Sequence, residues 1–386
     1  MSPRRWVSLY YFVYFGALAT LIPYLNLFYR RLGIPDPLIG ILAGLGPLTS
    51  IIAGPLWGGL ADALHIHRRI LPAMILATLP CAAAISVQRE FSGLALAGLA
   101  FGMCISPVVP LADNAVIQYL GSDRSDYGRL RLWGSIGWAL LAWIAGLLIE
   151  RLGMGAGFVL YIGGMAFCAW VALRLPAPAR AVDAPPFWVS LRKLSGSRPW
   201  LVFLAAIFLV GISNSALQNF LSLFIKDLGA GESFFGLILA LASFSEVPVF
   251  FLSSRWLRRF GPRALIAFAM TIYGLRVLTL AAIHQPLWVI PVALLHGLSF
   301  SALWTSAVNY AAQLAPPHLG ATAQSTLTGV MFGVATAVGA FGGGWLYGQS
   351  GPALVFLVSG LAALAGVALF LLGSPGPRAI MSQESA

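Results

Sequence analysis

Charge is scarce in this sequence of 386 residues. Asp, Glu, Lys and Arg make up 9% of it, whereas hydrophobic residues make up 59% and the mean hydropathy is +0.87. A soluble globular domain carries roughly 25% charged residues. So few charges cannot cover a water-facing surface. The composition therefore excludes an ordinary soluble protein and predicts that most of the chain faces lipid.

Cysteine is nearly absent, and the motifs of enzymes and ATP-driven pumps are missing. Cys81, Cys104 and Cys168 lie in apolar segments without CxxC or CxxH spacing, which favours small core residues over disulfides or metal ligands. No HExxH motif, Ser/His/Asp set or Walker A sequence occurs. These absences predict a protein that is not an enzyme, has no cofactor or metal, and does not use ATP.

Long apolar runs dominate the chain. About 20 apolar residues in a helix span the hydrocarbon core, and twelve such runs occur. They cover 6–29, 37–62, 70–88, 92–119, 129–149, 154–174, 200–225, 233–254, 264–283, 286–312, 321–347 and 352–372. The connection 176–198 is Pro-rich and basic, so we expect a linker between a bundle at 1–175 and a bundle at 199–386. The first run is too long for a signal peptide.

The basic residues are distributed unevenly between the two sides of the membrane. With a cytoplasmic N-terminus, seventeen of the 23 Lys and Arg residues fall in cytoplasmic loops and tails, five fall in outer loops, and Arg276 lies within a span. This asymmetry predicts that both termini are cytoplasmic. It also explains the net charge of +11 without nucleic acid as a partner.

An internal repeat relates the two halves of the chain. LFYRRLGIPDPLIGIL after the first run matches LFIKDLGAGESFFGLIL after the seventh at a constant offset of 196 residues, so that Arg30 pairs with Lys226 and Gly40 with Gly236. Duplicated six-helix halves around a central cavity are a transporter architecture. The predicted fold class is an all-α integral membrane protein with twelve transmembrane helices in two pseudo-symmetric six-helix bundles.

The loop after the second run, GGLADALHIHRR, resembles the G-x-L-A-D-R-x-G-R-R/K signature of the major facilitator superfamily, and the resemblance extends over essentially the whole chain. Ala63 replaces the usual basic residue of the signature, and His65 replaces its Gly. The resemblance implies that Asp62, Arg68 and Arg69 act as a gate at the cytoplasmic face. The alternative is that the arginines only set the topology.

The stretch PLADNAVIQYLGSDRSDYGRLRLWGSIGWAL resembles the fourth and fifth spans of the branch that holds the lactose permease-like sugar/proton symporters and the phenylpropionate permease. The resemblance implies that Asp113, Arg131 and Trp138 bind substrate, with Asn114 next to Asp113. A brace between helices is the alternative for Asp113 and Arg131. Further candidate contacts, each with packing as its alternative, are Asn26, Asn219, Trp304 and Asn309.

One carboxylate, Glu246, stands in the apolar stretch LASFSEVPVFF. An ionised carboxylate inside a membrane costs at least about 2–3 kcal/mol unless a partner compensates it. The resemblance places Arg276 and His296 at the ninth-span Arg and tenth-span His of the lactose permease, whereas Ser299 replaces that permease's proton-carrying Glu. We expect a mid-membrane cluster in which Glu246 couples transport to protons. A static ion pair and a substrate-binding charge are the alternatives.

These patterns predict a secondary active transporter that works by alternating access as a monomer in the inner membrane. Its expected partners are protons, the lipid bilayer and a small polar or anionic organic solute such as a sugar or an aromatic acid. One alternative is a proton-driven exporter of amphipathic compounds. Another is a non-transporting receptor or scaffold with the same fold, although such a protein would not need Asp113, Glu246 and Arg276 within its spans.

Overall fold

The computed structural model describes residues 2–64, 67–121, 126–176, 191–192, 194–316 and 319–374, without the side chains of 54–55, 58–64, 67–68 and 321. Every regular element in this part of the chain is a helix. Most of the predicted linker lies outside the described residues. The side chains of the proposed gate residues Asp62 and Arg68 lie outside them as well.

Eleven helical stretches of the described chain are candidates for crossing a membrane. The helices that contain them are Pro3–Arg31, Asp36–Leu64, His67–Val87, Phe91–Leu120, Tyr127–Leu152, Gly155–Ala172, Arg198–Asp227, Glu232–Ala281, Pro286–Leu314, Thr322–Ser350 and Pro352–Gly373. We call them spans in chain order, with Glu232–Ala281 counted as the eighth and ninth. They form the two six-helix bundles that the sequence predicts.

The eighth and ninth spans share one stretch of 50 residues with a break at Gly261, whose φ is 76° and ψ 159°. A glycine with positive φ followed by Pro262 ends a helix, because the glycine leaves the right-handed region and the proline cannot continue it. Hydropathy predicted that the eighth span ends at 254. The helix continues through the basic segment RWLRRF instead, since backbone hydrogen bonding does not require apolar side chains.

Several spans are interrupted by short non-α segments. Proline accounts for two breaks, because it lacks the backbone N–H that the helix needs, and two others are π-helical turns, which are frequent at functional sites. The interruptions are the 3₁₀ turn Ile22–Tyr24 in the first span, Ser106 and Pro107 in the fourth, and the π segments Gly297–Ser301 in the tenth and Gly329–Val334 in the eleventh. Discontinuous helices of this kind line the binding sites of many secondary transporters.

The two bundles meet through the second and eleventh spans and through the fifth and eighth spans. The repeat partners Gly40 and Gly236 lie at these two interfaces. A Cβ atom on Gly40 would stand 2.4 Å from the Ala340 carbonyl oxygen, and one on Gly236 would stand 2.7 Å from the Ala142 carbonyl oxygen. Helix backbones are therefore in direct contact, as small residues permit in membranes. Both contacts lie at the end of the spans that the charge distribution assigns to the outer side, called the outer end below.

A larger residue at this contact should separate the outer ends. Gly40→Val places a branched side chain against backbone, and such overpacking costs about 1–3 kcal/mol, or roughly tenfold in population. We expect a longer distance between spin labels on Ile34→Cys and Ala230→Cys in a cysteine-free background. Gly46→Val on the same helix is the control, because no atom lies within 4 Å of its Cβ position. Equal distances in both variants would contradict the contact.

Candidate substrate and proton sites

Three charged or titratable side chains from the eighth, ninth and tenth spans form a chain of contacts, which we call the Glu246 cluster. Nε2 of His296 lies 3.1 Å from Oε1 of Glu246, and Nδ1 of His296 lies 2.9 Å from Nη1 of Arg276. The Glu246 side chain is 13% exposed and the Arg276 residue 4%. The cluster therefore faces the interior of the second bundle rather than lipid.

The packing of the tenth span positions His296. Nε of Arg276 donates to the Val292 carbonyl, and its Nη1 also donates to Oγ of Ser299, 3.2 Å away. A Cβ atom on Gly297 would lie 2.0 Å from the Ser245 carbonyl oxygen, so the eighth and tenth spans touch through their backbones beside the cluster. The π segment Gly297–Ser301 begins immediately after His296. Hydropathy gave no signal for either the π turn or the role of Ser299 as an arginine partner.

Hydrogen-bond chemistry assigns the proton on His296. The guanidinium of Arg276 can only donate, so Nδ1 of the imidazole has to accept, and in the neutral ring the proton then sits on Nε2. Nε2 donates to the carboxylate of Glu246, which only accepts when ionised. With Glu246 ionised, the cluster consists of a cation, a neutral ring and an anion, and its formal net charge is zero.

A second group of polar side chains lies in the first bundle, between the first, fourth and fifth spans. The Tyr11 hydroxyl donates to Oδ1 of Asp113 over 2.6 Å. The guanidinium carbon of Arg131 lies 3.8 Å from the ring centroid of Phe15 and 5.3 Å from that of Tyr11. Tyr127 packs edge-on against Tyr11. Asp113 and Arg131 therefore share Tyr11 as a neighbour, and no N–O pair within 4.0 Å joins them in the described structure.

The aromatic members of this group were not among the candidates from the sequence. Tyr11 and Phe15 lie one helical turn apart in YYFVYF, a run that hydropathy cannot separate into lipid-facing and interior positions. Spacing of i and i+4 does place the two rings on one helix face. Arg131 lies near the start of the fifth span and needs a partner on a neighbouring helix. The spacing of Tyr11 and Phe15 was the available signal that the first span offers one.

The remaining candidates lie in different surroundings. The amide of Asn26 donates to the Asn219 carbonyl between the first and seventh spans, and the Asn219 amide donates to Ser215. Both amides are thus engaged in helix contacts. Asn114 accepts from Gln118, exposed Asn309 donates to the Thr305 carbonyl, half-buried Trp304 packs against Phe332, and half-buried Trp138 has no hydrogen bond within the described chain.

Among the described residues, no group of three or more His, Cys, Asp or Glu side chains is close enough to hold a metal ion. The three cysteines are free thiols.

Of the proposed gate residues, Arg69 is exposed.

A charged cluster closes the outer end between the bundles. Arg30 contacts Asp36 of its own half at 2.9 Å and Asp227 of the other half at 2.7 Å. Glu232 contacts Lys226 of its own half at 3.2 Å and Arg31 of the other half at 2.5 Å. The members of this outer charge cluster are Arg30, Arg31, Asp36, Lys226, Asp227 and Glu232.

Among the described residues, the bonds between the bundles lie at this end. Besides the outer charge cluster they comprise Asn26 to the Asn219 carbonyl, Arg30 to the Leu223 carbonyl, and the Ser233 amide to Glu150. Within the described residues no hydrogen bond or ion pair joins the bundles at the opposite end. The bundles are thus fastened at the outer end, the arrangement of a carrier that is closed on that side.

Two helical bundles, each with charged side chains between its spans, are the architecture of a membrane transport protein of the major facilitator type. The chain matches the family described as MFS_1 like family over residues 5–358 and belongs to it. It is a multi-pass membrane protein whose relatives are transporters, not enzymes.

Two relatives and one solved structure illustrate this membership. The chain is 28% identical to "Maltose permease" of Geobacillus stearothermophilus over 370 residues, which cover 94% of this chain and 93% of the relative. It is 26% identical to "Probable 3-phenylpropionic acid transporter" of Escherichia coli K12 over 381 residues, 96% of this chain and 97% of the relative. The structure of the nucleoside transporter NupG has the same fold, with a TM-score of 0.83, 16% identity, and coverage of 96% of this chain and 99% of that one.

Neutralising the buried acid of the outer charge cluster should loosen the outer end. Glu232 is 2% exposed, and Glu232→Gln leaves Arg31 and Lys226 side by side without their counter-charge. Because both cations are partly exposed, we expect a loss of about 1 kcal/mol, or roughly fivefold in population of the outward-open form. Energy transfer between dyes on Ile34→Cys and Ala230→Cys measures it. Exposed Glu90→Gln, in an outer loop, should change nothing; a similar shift in both variants would refute this role for Glu232.

Proposed function

We propose that the protein is a proton-coupled secondary transporter that moves a small polar or anionic organic solute, such as a sugar or an aromatic acid, by alternating access. It acts as a monomer in the inner membrane with both termini in the cytoplasm. Its bundles comprise 1–175 and 199–386, joined by a cytoplasmic linker at 176–198. The observation that carries the proposal is the contact chain of Arg276, His296 and Glu246.

This contact chain is sensitive to one added proton. A proton on His296 would have to enter at Nδ1, where it would face an N–H group of Arg276, so the imidazolium and the 2.9 Å contact are incompatible. A proton on Glu246 would leave Arg276 without an anion in the cluster. Either event changes the contacts among the eighth, ninth and tenth spans, which is how a proton site can bias a conformational equilibrium.

The surroundings of His296 offer a route from the protonation event to helix movement. Its ring stacks on Phe300 within the first π segment, and Phe300 packs against Phe332 within the second. The eleventh span, which carries Phe332, contacts the second span across the bundle interface. A change at His296 is thereby connected through packed rings to the interface that alternating access has to open.

The two ends of the molecule have separate gates in this proposal. The outer charge cluster and the contacts of Gly40 and Gly236 hold the outer end shut. Asp62, Arg68 and Arg69 act at the cytoplasmic end when the inner side closes. A ligand or proton that favours one end closed over the other shifts the population between the two states.

Substrate binding is proposed for the first bundle. Asp113 and Arg131 supply the charged groups, and Asn114 and Trp138 flank them on the same helices. Trp304 and Asn309 contribute from the second bundle. For Asn26 and Asn219, the hydrogen bonds between the first and seventh spans favour a role in closing the outer end over direct substrate contact.

Substitution of Glu246 tests the proton coupling. In proteoliposomes with an imposed pH gradient, wild type should accumulate at least one member of a panel that includes maltose and 3-phenylpropanoate. Glu246→Gln keeps the shape of the side chain but cannot bind or release a proton. We expect gradient-driven accumulation to disappear, while counterflow exchange of the same solute persists, because exchange requires no net proton movement.

The matched control is Glu90→Gln, which removes an exposed acid from an outer loop. It should accumulate solute like wild type. Accumulation that survives Glu246→Gln would remove Glu246 from the coupling step, and a pH gradient that drives solute out instead of in would favour the exporter. Absence of any counterflow across the panel would favour a non-transporting protein.

A further inference from the structure

The guanidinium of Arg131 is held by its face. Its carbon lies 3.8 Å from the ring centroid of Phe15, a distance at which a planar cation stacks on an aromatic ring. Stacking of this kind uses none of the five N–H groups, which radiate in the guanidinium plane. The donors of Arg131 therefore remain available for a planar acceptor.

A glycine on the same helix makes room for this arrangement. A Cβ atom on Gly134 would lie 2.8 Å from Nη1 of Arg131 and 2.7 Å from Cδ2 of Phe15. Gly134 thus leaves a slot between the fifth and first spans that the guanidinium and the ring fill together. Gly134 lies about 10 Å along the fifth span from its start at Tyr127, nearer the end at which the described residues form no bond between the bundles.

Arg131 differs in its partners from the other arginines inside the protein. Arg276 donates to Val292, His296 and Ser299, and Arg30 contacts Asp36 and Asp227. Arg131 has neither a hydrogen bond nor an ion pair to any described residue. Asp113, the acid that the sequence offers as its partner, instead accepts from the Tyr11 hydroxyl.

We propose that Phe15, Gly134 and Tyr11 hold the Arg131 guanidinium as a binding site for a carboxylate, so that the transported solute is an organic acid rather than a neutral sugar. This inference rests on the proposed transport function and narrows its substrate class. Arg131 binds the carboxylate through parallel N–H···O bonds, the geometry for which a guanidinium is suited. Phe15 and Gly134 are positioning residues, because they act through Arg131.

An acid substrate also gives the proton site a purpose, which is to cancel the negative charge of the solute during transport. A membrane potential that is negative inside opposes entry of an anion by about 2.3 kcal/mol per charge for each 100 mV. One proton carried with each monocarboxylate cancels that charge. The Glu246 cluster in the second bundle would bind the proton, and the Arg131 site in the first bundle would bind the carboxylate. The acid could then bind in its charged form.

Equilibrium binding tests the site without any gradient. The full chain in lipid nanodiscs is titrated calorimetrically at neutral pH with 3-phenylpropanoate, with its uncharged isostere 3-phenylpropanamide, and with maltose. We expect the acid to bind at least about tenfold more tightly than the amide, the range that charge-assisted hydrogen bonds support. Arg131→Gln should abolish this preference by lowering the affinity for the acid far more than the affinity for the amide, and Arg131→Lys should retain part of it.

The positioning residues supply variants that keep the charge. Gly134→Ala pushes a methyl group against Nη1, and Phe15→Leu removes the stacking face; both should lower the affinity for the acid more than the affinity for the amide. Arg89→Gln is the matched control, since Arg89 is exposed and bonds only to the Ser86 and Gln88 carbonyls of its own helix end. It should keep the wild-type preference. Melting temperatures establish that each variant is folded.

Three results would overturn the carboxylate site: equal affinity for acid and amide in wild type, an equal loss of both ligands in Arg131→Gln, or binding of maltose without binding of the acid. The last result, combined with Glu246-dependent maltose accumulation, would leave the transport proposal intact. Conversely, Arg131-dependent binding of the acid without accumulation on a pH gradient would support the site and contradict proton coupling.

Discussion

An ionised side chain within the hydrocarbon core has to find its counter-groups inside the protein, because lipid provides none. Arg276 finds the imidazole of His296 and, beyond it, the carboxylate of Glu246, while Asp113 accepts from Tyr11 and Arg131 stacks on Phe15. Each of these contacts joins side chains on different helices. The need for these counter-groups therefore favours turning the helix faces that carry the charged side chains toward the interior of the protein.

The two bundles handle their charges differently. In the second bundle the side chains of Glu246, His296 and Arg276 are linked end to end by their contacts. In the first bundle Asp113 and Arg131 are kept apart and Tyr11 contacts both. In the proposed mechanism the linked set responds to protonation, and the separated pair keeps hydrogen-bonding capacity for a solute. This division of labour follows from geometry that residue types alone do not specify.

Much of the fold could be predicted from the sequence. Runs of about 20 apolar residues locate the spans, and the repeat that pairs Gly40 with Gly236 anticipates two equivalent backbone contacts. The helix through RWLRRF could not be found from hydropathy, because helical hydrogen bonding continues there beyond the apolar run. Nor could the orientation of Arg131: residue types and spacing allow it to reach Asp113, but the choice between Asp113 and the face of Phe15 depends on the room left by Gly134. The π turn after His296 likewise has no signature in composition.

The outer charge cluster has a consequence for the duplication itself. The first half contributes two cations and one anion to it, Arg30, Arg31 and Asp36, and the second half contributes one cation and two anions, Lys226, Asp227 and Glu232. The halves carry +1 and −1, and their sum is neutral; two copies of either half would assemble with excess like charge. The inversion rests on one pair of equivalent positions, Arg31 and Asp227. Because the two halves carry opposite net charge at this end, each half complements the other half better than it would complement a second copy of itself.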